Sequence, residues 1–277
     1  MKLAYMVATP EVQPHPNVRG MRGDLDKCFA QLAQIGYSGV ELSIADPGEV
    51  APEAERIADT ARARGLEIAA ICTDEMAASR GVALGSDDRE VMDRSEELFL
   101  EAVAIAGRFG CPINIGKARG LAAEPVNDVH ALSKAVARVF GGIVSKALDQ
   151  GTQIVLEPIP RPEMNWICDT ETALNVVVRV NRPTARLLLD TACMYGGDAS
   201  ISTSLDRAAP FVRHVHLAEE DRSVPGTGSV DFAGFIHQLH QNGYAQWLTV
   251  EVEAQDHAAA ARQSFEFLSR LLPTDEI

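Results

Sequence analysis

The chain of 277 residues is predicted to be an α/β protein, a single-domain (β/α)8 barrel over residues 1–277. Three observations predict it. Eight short apolar runs alternate with stretches of helical period, the pattern of a parallel sheet built from βα units. Most of these runs are continuously apolar rather than alternating, as strands covered on both faces are. The length also suits a barrel, which takes about 250 residues. No Gly-rich phosphate fingerprint follows the first run, so an open dinucleotide-binding sheet is the weaker reading.

Leu3–Val7 reads as the first strand, followed by a loop rich in Pro, Gly and Arg from Pro10 to Gly23. Asp24 can cap a helix with apolar positions Leu25, Phe29, Leu32 and Ile35, which Gly36 stops. Gly39–Leu42 is the second strand, Pro52–Gly65 a helix and Leu66–Cys72 the third strand. Thr73–Asp88 reads as a long loop, a candidate lid around Arg80. A helix over Arg89–Phe109 ends at Gly110, Pro112–Ile115 is the fourth strand, and Gly116–Gly120 is a loop. His130–Leu148 is a helix closed by Gly151. Four more units follow, with helices over Thr170–Val180, Ile201–Ala208, Asp231–Gln241 and Ala258–Leu271.

The strands of those last four units are Gln153–Glu157, Arg186–Asp190, Val212–His216 and Leu248–Glu251. Each ends on a side chain able to bind a metal: Glu157, Asp190, His216 and Glu251, spaced by 33, 26 and 35 residues. One βα unit takes roughly 30 residues or more, so all four fall at the carboxyl ends of successive strands, where barrel active sites lie. The expectation is that they converge on one divalent metal. Three carboxylates and one imidazole suit Mn, Mg or Co, with Zn as a further option. The bland alternative is four solvated strand ends. His214 shares a face with His216 and should lie deeper; a hydrogen-bonded core histidine and a support for the ligands stay open. Glu251 is preferred to Glu253 as ligand.

The net charge of −14 speaks against nucleic acid or an anionic membrane as partner. No apolar stretch approaches a membrane span and no secretory leader is visible. Five dispersed cysteines without a CxxC pair predict reduced thiols and a cytoplasmic home. A small anionic substrate needs only local basic groups, and Lys117 and Arg119 are candidates to receive its phosphate or carboxylate, against a merely solvated loop. The turn Pro225-Gly226-Thr227-Gly228 should bring Arg222 back over the barrel mouth, toward a substrate hydroxyl or phosphate.

Beyond these readings, the chain resembles the xylose isomerase-like barrels of sugar and sugar-phosphate isomerases and epimerases. The resemblance runs through Gly36-Tyr37-Ser38-Gly39-Val40-Glu41, Leu156-Glu157-Pro158, Leu189-Asp190-Thr191, His214-Val215-His216, Arg222 to Gly228, and Val250-Glu251. It implies that Glu157, Asp190, His216 and Glu251 bind the metal and that Glu157 and Glu251 also exchange protons with substrate. It further implies that Arg161 and Asn165 line the substrate pocket. Ketose epimerases of this kind usually carry His three residues after the ligand Asp, where this chain has Cys193, and often Asn-Arg where it has Pro160-Arg161. Both positions touch substrate in relatives, so the substrate is expected to differ from a simple free ketohexose.

The implied chemistry is isomerisation or epimerisation of a sugar, sugar phosphate or related hydroxy-ketone through an enediolate, with the two glutamates on opposite faces of the reacting carbon. Loss of a β-hydroxyl from the same intermediate would make a dehydratase of a keto-polyol or hydroxy-keto acid, the alternative enzyme class. A superfamily endonuclease is disfavoured by seven histidines and the acidic charge. A catalytically silent sugar-binding barrel is the non-enzymatic rival. The expected partner is a small sugar or polyol; assembly into a homo-oligomer is left open.

Overall fold

The apolar runs become the eight strands of a closed parallel barrel, in the order β1 to β8 with β8 paired back onto β1. In this computed structural model the described residues are 1–15, 18–122 and 129–273. Pro16 and Asn17, within the predicted Pro10–Gly23 loop, lie outside them.

The strands are β1 (Lys2–Ala8), β2 (Gly39–Ser43), β3 (Glu67–Cys72), β4 (Ile113–Ile115), β5 (Ile154–Leu156), β6 (Ala185–Asp190), β7 (Val212–Leu217) and β8 (Trp247–Val250). Between them run α1 (Leu25–Ile35), α2 (Pro47–Val50), α3 (Ala54–Ala63), α4 (Asp74–Arg80), α5 (Arg89–Phe109), α6 (Val129–Phe140), α7 (Ile143–Asp149), α8 (Thr170–Val180), α9 (Thr191–Gly197), α10 (Ile201–Ala208), α11 (Phe232–Gln241) and α12 (His257–Leu268). The main core lies between sheet and helices, where Leu187, Leu189, Val215 and Leu217 of the strands join Val176, Phe235 and Leu268 of the helices. Burying each such side chain contributes about 1.5–3 kcal/mol.

Local sequence accounts for most helix ends. The Asp24 side chain accepts from Lys27 N, as predicted, and Asp88 accepts from Glu90 N and Val91 N at the start of α5. Gly110 closes α5 with φ +66°, a conformation glycine takes without strain.

Two expectations need correction, and one helix is new. The segment Thr73–Asp88 is not one long loop: Asp74–Arg80 form α4, with Met76 fully buried, and Arg80 pairs with Asp46 rather than standing free as a lid tip. The helix expected over His130–Leu148 is two helices, broken at Gly141-Gly142, where backbone freedom is greatest. An additional helix, α9, starts directly on Asp190, whose carboxylate caps it by accepting from Cys193 N. That cap fixes the orientation of an expected metal ligand.

Among the described residues no helix is long and apolar enough to cross a membrane.

Candidate metal centre

The last four strands deliver their polar ends to one point. β6 and β7 pair with Asp190 opposite His216, while Glu157 and Glu251 follow directly after β5 and β8. Glu157, Asp190, His216 and Glu251 each offer one ligand atom, and these atoms all lie within 4.8 Å of one another. His216 Nδ1 is 3.5 Å from Glu251 Oε2, 3.7 Å from Asp190 Oδ2 and 3.9 Å from Glu157 Oε1. All four residues are buried.

Three carboxylates so close together, out of water, repel one another and need a cation. The chain supplies one: Arg222 Nη1 donates to Asp190 Oδ2 at 2.5 Å and to Glu251 Oε2 at 2.9 Å. Burial alone would raise the Asp190 pKa, but the Arg222 guanidinium outweighs it and holds Asp190 well below the usual carboxylate range. Glu157 has no such partner within the set. Burial pushes it up to about 8, against the pull of His216. Burial opposes ionisation of Glu251 too, yet His216 and Arg222 keep it low.

The test of whether this set fits a metal is His216 Nδ1. It is buried and aimed at the three acids, and it has no hydrogen-bond partner. A divalent cation among the four would give that nitrogen a partner and neutralise the carboxylates together, so the residues fit a divalent ion with mostly oxygen ligands.

The mouth of the site is built by residues from several loops. Gly116, after β4, lies so close that a Cβ would stand 2.5 Å from Asp74 Oδ1 and 2.9 Å from Glu157 Oε2. Only glycine leaves room for the Glu157 carboxylate there. Asn114 Nδ2 donates to Glu157 Oε2 at 2.7 Å. Arg222 is carried in by the predicted turn, with φ +64°, and its carbonyl accepts from Glu253 N at 2.8 Å. That turn is pinned by Glu219, whose carboxylate accepts from Gly226 N at 2.8 Å and Val230 N at 3.0 Å.

The other expected site residues divide. Cys193 is brought in: its Sγ is 3.1 Å from Arg222 Nη2 and 3.9 Å from Glu157 Oε1. Lys117 is at the rim, its Nζ 2.6 Å from Glu163, a carboxylate that Arg19 also approaches at 3.7 Å.

Arg119 is not the anion receiver expected. It is fully buried, with Nη1 donating to the Gly116 and Glu157 carbonyls and Nη2 to those of Trp166 and Ile167. Burial lowers its pKa to about 10, and with four carbonyls in place it braces the loop behind Glu157. Asn165 likewise spends its amide on the backbone, accepting from Ala122 N at 2.9 Å and donating to Ala122 O at 2.7 Å. Arg161 is exposed and donates to Asn165 O, away from the cluster. Glu253, the rejected rival of Glu251, is at the rim against Arg19 Nε at 3.3 Å.

Asn114, Arg19 and Glu219 were not anticipated. Asn114 had a readable signal, a lone amide in an otherwise apolar strand. Arg19 had none, because its loop has no period that would aim it.

Similarity to known proteins agrees with this geometry. The chain is 28% identical over 236 residues to an L-ribulose 3-epimerase of Methylomonas sp., covering 81% of this chain and 77% of the relative. It is 26% identical over 231 residues to a ketose 3-epimerase of Arthrobacter globiformis, covering 83% and 76%. Its fold superposes on the crystal structure of a Methylomonas sp. D-allulose 3-epimerase in complex with D-allulose, with a TM-score of 0.80, 22% identity, and coverage of 98% and 96%. The family model described as xylose isomerase-like TIM barrel matches residues 29–271, nearly the whole barrel. This chain therefore belongs to the xylose isomerase-like TIM barrel family.

Proposed function

We propose that the protein is a divalent-metal-dependent epimerase or isomerase of a sugar, sugar phosphate or related hydroxy-ketone. The observation that carries the proposal is the convergence of two glutamates, one aspartate and one histidine within 4.8 Å at the carboxyl ends of four adjacent strands. The family membership and the similarity to ketose 3-epimerases support the same reading.

Glu157, Asp190, His216 and Glu251 would hold the ion, with Mn, Mg or Co favoured by the oxygen-rich set and Zn next. When bound, the ion supplies Lewis acidity that makes a C–H beside a carbonyl more acidic. The rest falls to side chains. Glu157 and Glu251 follow β5 and β8, their carboxylate oxygens 3.9 and 3.5 Å from His216 Nδ1. One accepts the proton from the carbon and the other returns a proton from the opposite face, which inverts the centre. Because the reverse reaction uses the same groups, their roles exchange with the configuration of the substrate. Asn114 steadies Glu157 and Arg222 steadies Glu251, so each carboxylate meets the carbon from a fixed direction. Cys193, in contact with Arg222 and facing Glu157, is the side chain most able to alter which sugar fits.

The test is incubation of the Mn-loaded protein in heavy water with a panel of ketoses, ketose phosphates and keto-polyols. The expected result is deuterium on the carbon next to the carbonyl together with formation of the epimer or isomer. Binding without exchange across the panel would make this a silent barrel; new enone absorbance would move it to the dehydratases.

A further inference from the structure

Beneath the metal centre lies a second polar layer that shares only His216 with the four candidate ligands. Glu41 of β2 is fully buried inside the barrel, opposite β7. Its carboxylate meets two imidazoles: His214 Nε2 is 2.6 Å from Oε2, and His216 Nε2 is 3.0 Å from Oε1 and 3.1 Å from Oε2. Thr249 Oγ1 of β8 is 3.0 Å from His214 Nε2. All four residues have no exposed surface.

The backbone is shaped to make this meeting. β2 and β3 slip register between Val40 and Glu41, and β6 and β7 slip between Leu187 and Leu188, where Leu188 pairs with His214. Each irregularity adjoins a member of the layer, and bulges re-aim side chains in this way.

A carboxylate can only accept, so His216 Nε2 must carry the proton of that bond. Its Nδ1 is then the ring nitrogen left to bind an ion among Glu157, Asp190 and Glu251, whose oxygens lie 3.5–3.9 Å from it. We infer that Glu41 is a positioning residue for the metal centre: by accepting from His216 Nε2 it fixes the ring and its tautomer so that Nδ1 is the ligand atom, and it adds a fourth buried negative charge behind the ion. His214 holds Glu41 in place from the other side, which is why a second imidazole is needed two residues before the ligand. Hydrogen-bonded carboxylates behind a ligating imidazole raise its basicity, and their loss lowers metal affinity 10–100-fold as an order of magnitude.

This inference rests on the metal reading, and the experiment separates the two. Mn and Co binding are measured by calorimetry, and the Co absorption spectrum recorded, for the unmodified protein and for Glu41→Gln, with circular dichroism as the check of folding. Failure of the unmodified protein to bind overturns the metal reading itself. If it binds, Glu41→Gln is expected to bind roughly 10–100-fold more weakly, with a shifted Co spectrum. Equal affinity and an identical spectrum would overturn the role of Glu41 while leaving the metal centre intact. Should Glu41→Gln not fold, the tautomer is read on the unmodified, Zn-loaded protein by nitrogen NMR of its histidines. A proton on His216 Nε2 with metal on Nδ1 supports the inference; metal on Nε2 refutes it.

Discussion

Metal binding should expel protons, because burial and neighbouring charges raise the proton affinity of two of the four candidate ligands. Burial above all, with Asp74, Glu251 and Asp190 nearby, pushes the Glu157 pKa to about 8 against the pull of His216. At pH 7 a group with that pKa is about nine-tenths protonated. Burial works against charge on His216, but Glu41 and Glu251 outweigh it and raise His216 well above the usual imidazole value. An ion taking Glu157 Oε1 must displace the proton held there, so about nine-tenths of a proton should be released from Glu157 at pH 7, and the raised His216 adds to the release. The logarithm of affinity should therefore climb with pH by about 1 per unit on account of Glu157 between about pH 6 and 7, and more steeply where His216 also gives up its proton. The same shifts set stability. Both folded-state values lie above the unfolded ones, so their contribution is complete at low pH and is lost as pH rises, for Glu157 between about 4.3 and about 8. Asp190 and Glu41, held low, act in the opposite sense and only at acid pH. Without metal, the melting temperature should fall from about pH 5 to pH 8; with saturating metal it should not. Calorimetric titration with Mn in two buffers of different ionisation enthalpy counts the protons directly. A buffer-independent heat, with affinity flat from pH 6 to 8, would refute the reasoning.

Single substitutions extend the account. Glu251→Gln keeps its place beside Arg222 but cannot take a proton, so solvent deuterium exchange should fall by about 10²–10⁴-fold with circular dichroism unchanged; undiminished exchange would remove it from the chemistry. Asp190→Ala removes a ligand, the cap of α9 and half of the Arg222 pairing, so metal should be lost on dialysis and stability should drop by about 3–5 kcal/mol; unchanged metal content would count against it as a ligand. Cys193→His introduces a hydrogen-bonding ring beside Arg222, and relative kcat/KM values across a sugar panel should reorder. If every rate stays the same, Cys193 only packs.

The barrel and the convergence of Glu157, Asp190, His216 and Glu251 were legible in the sequence because one physical pattern repeats. A strand buried on both faces must be apolar, so a single acid or imidazole at its end stands out, and the βα period places each at the same height. What escaped had no such periodicity. No element is expected over Thr191–Gly197, which ends on two glycines, yet the Asp190 cap draws it into α9. Arg119 was misjudged because a charged residue in a glycine-flanked loop normally faces water; four carbonyls that converge only in three dimensions turned it inward. The pairing of Asn165 with the Ala122 backbone is equally invisible to local pattern, its partner being 43 residues away. Glu41 belonged to a recognised stretch, but its task depends on two histidines 173 and 175 residues later, a distance no local pattern spans.

The account as a whole depends on one ion being shared by the ends of four strands. Diffraction from crystals of the Mn-loaded protein at the manganese absorption edge addresses this directly. The predicted result is a single strong anomalous peak bonded to Glu157, Asp190, His216 Nδ1 and Glu251; a peak elsewhere, or no peak at saturating Mn, would contradict it.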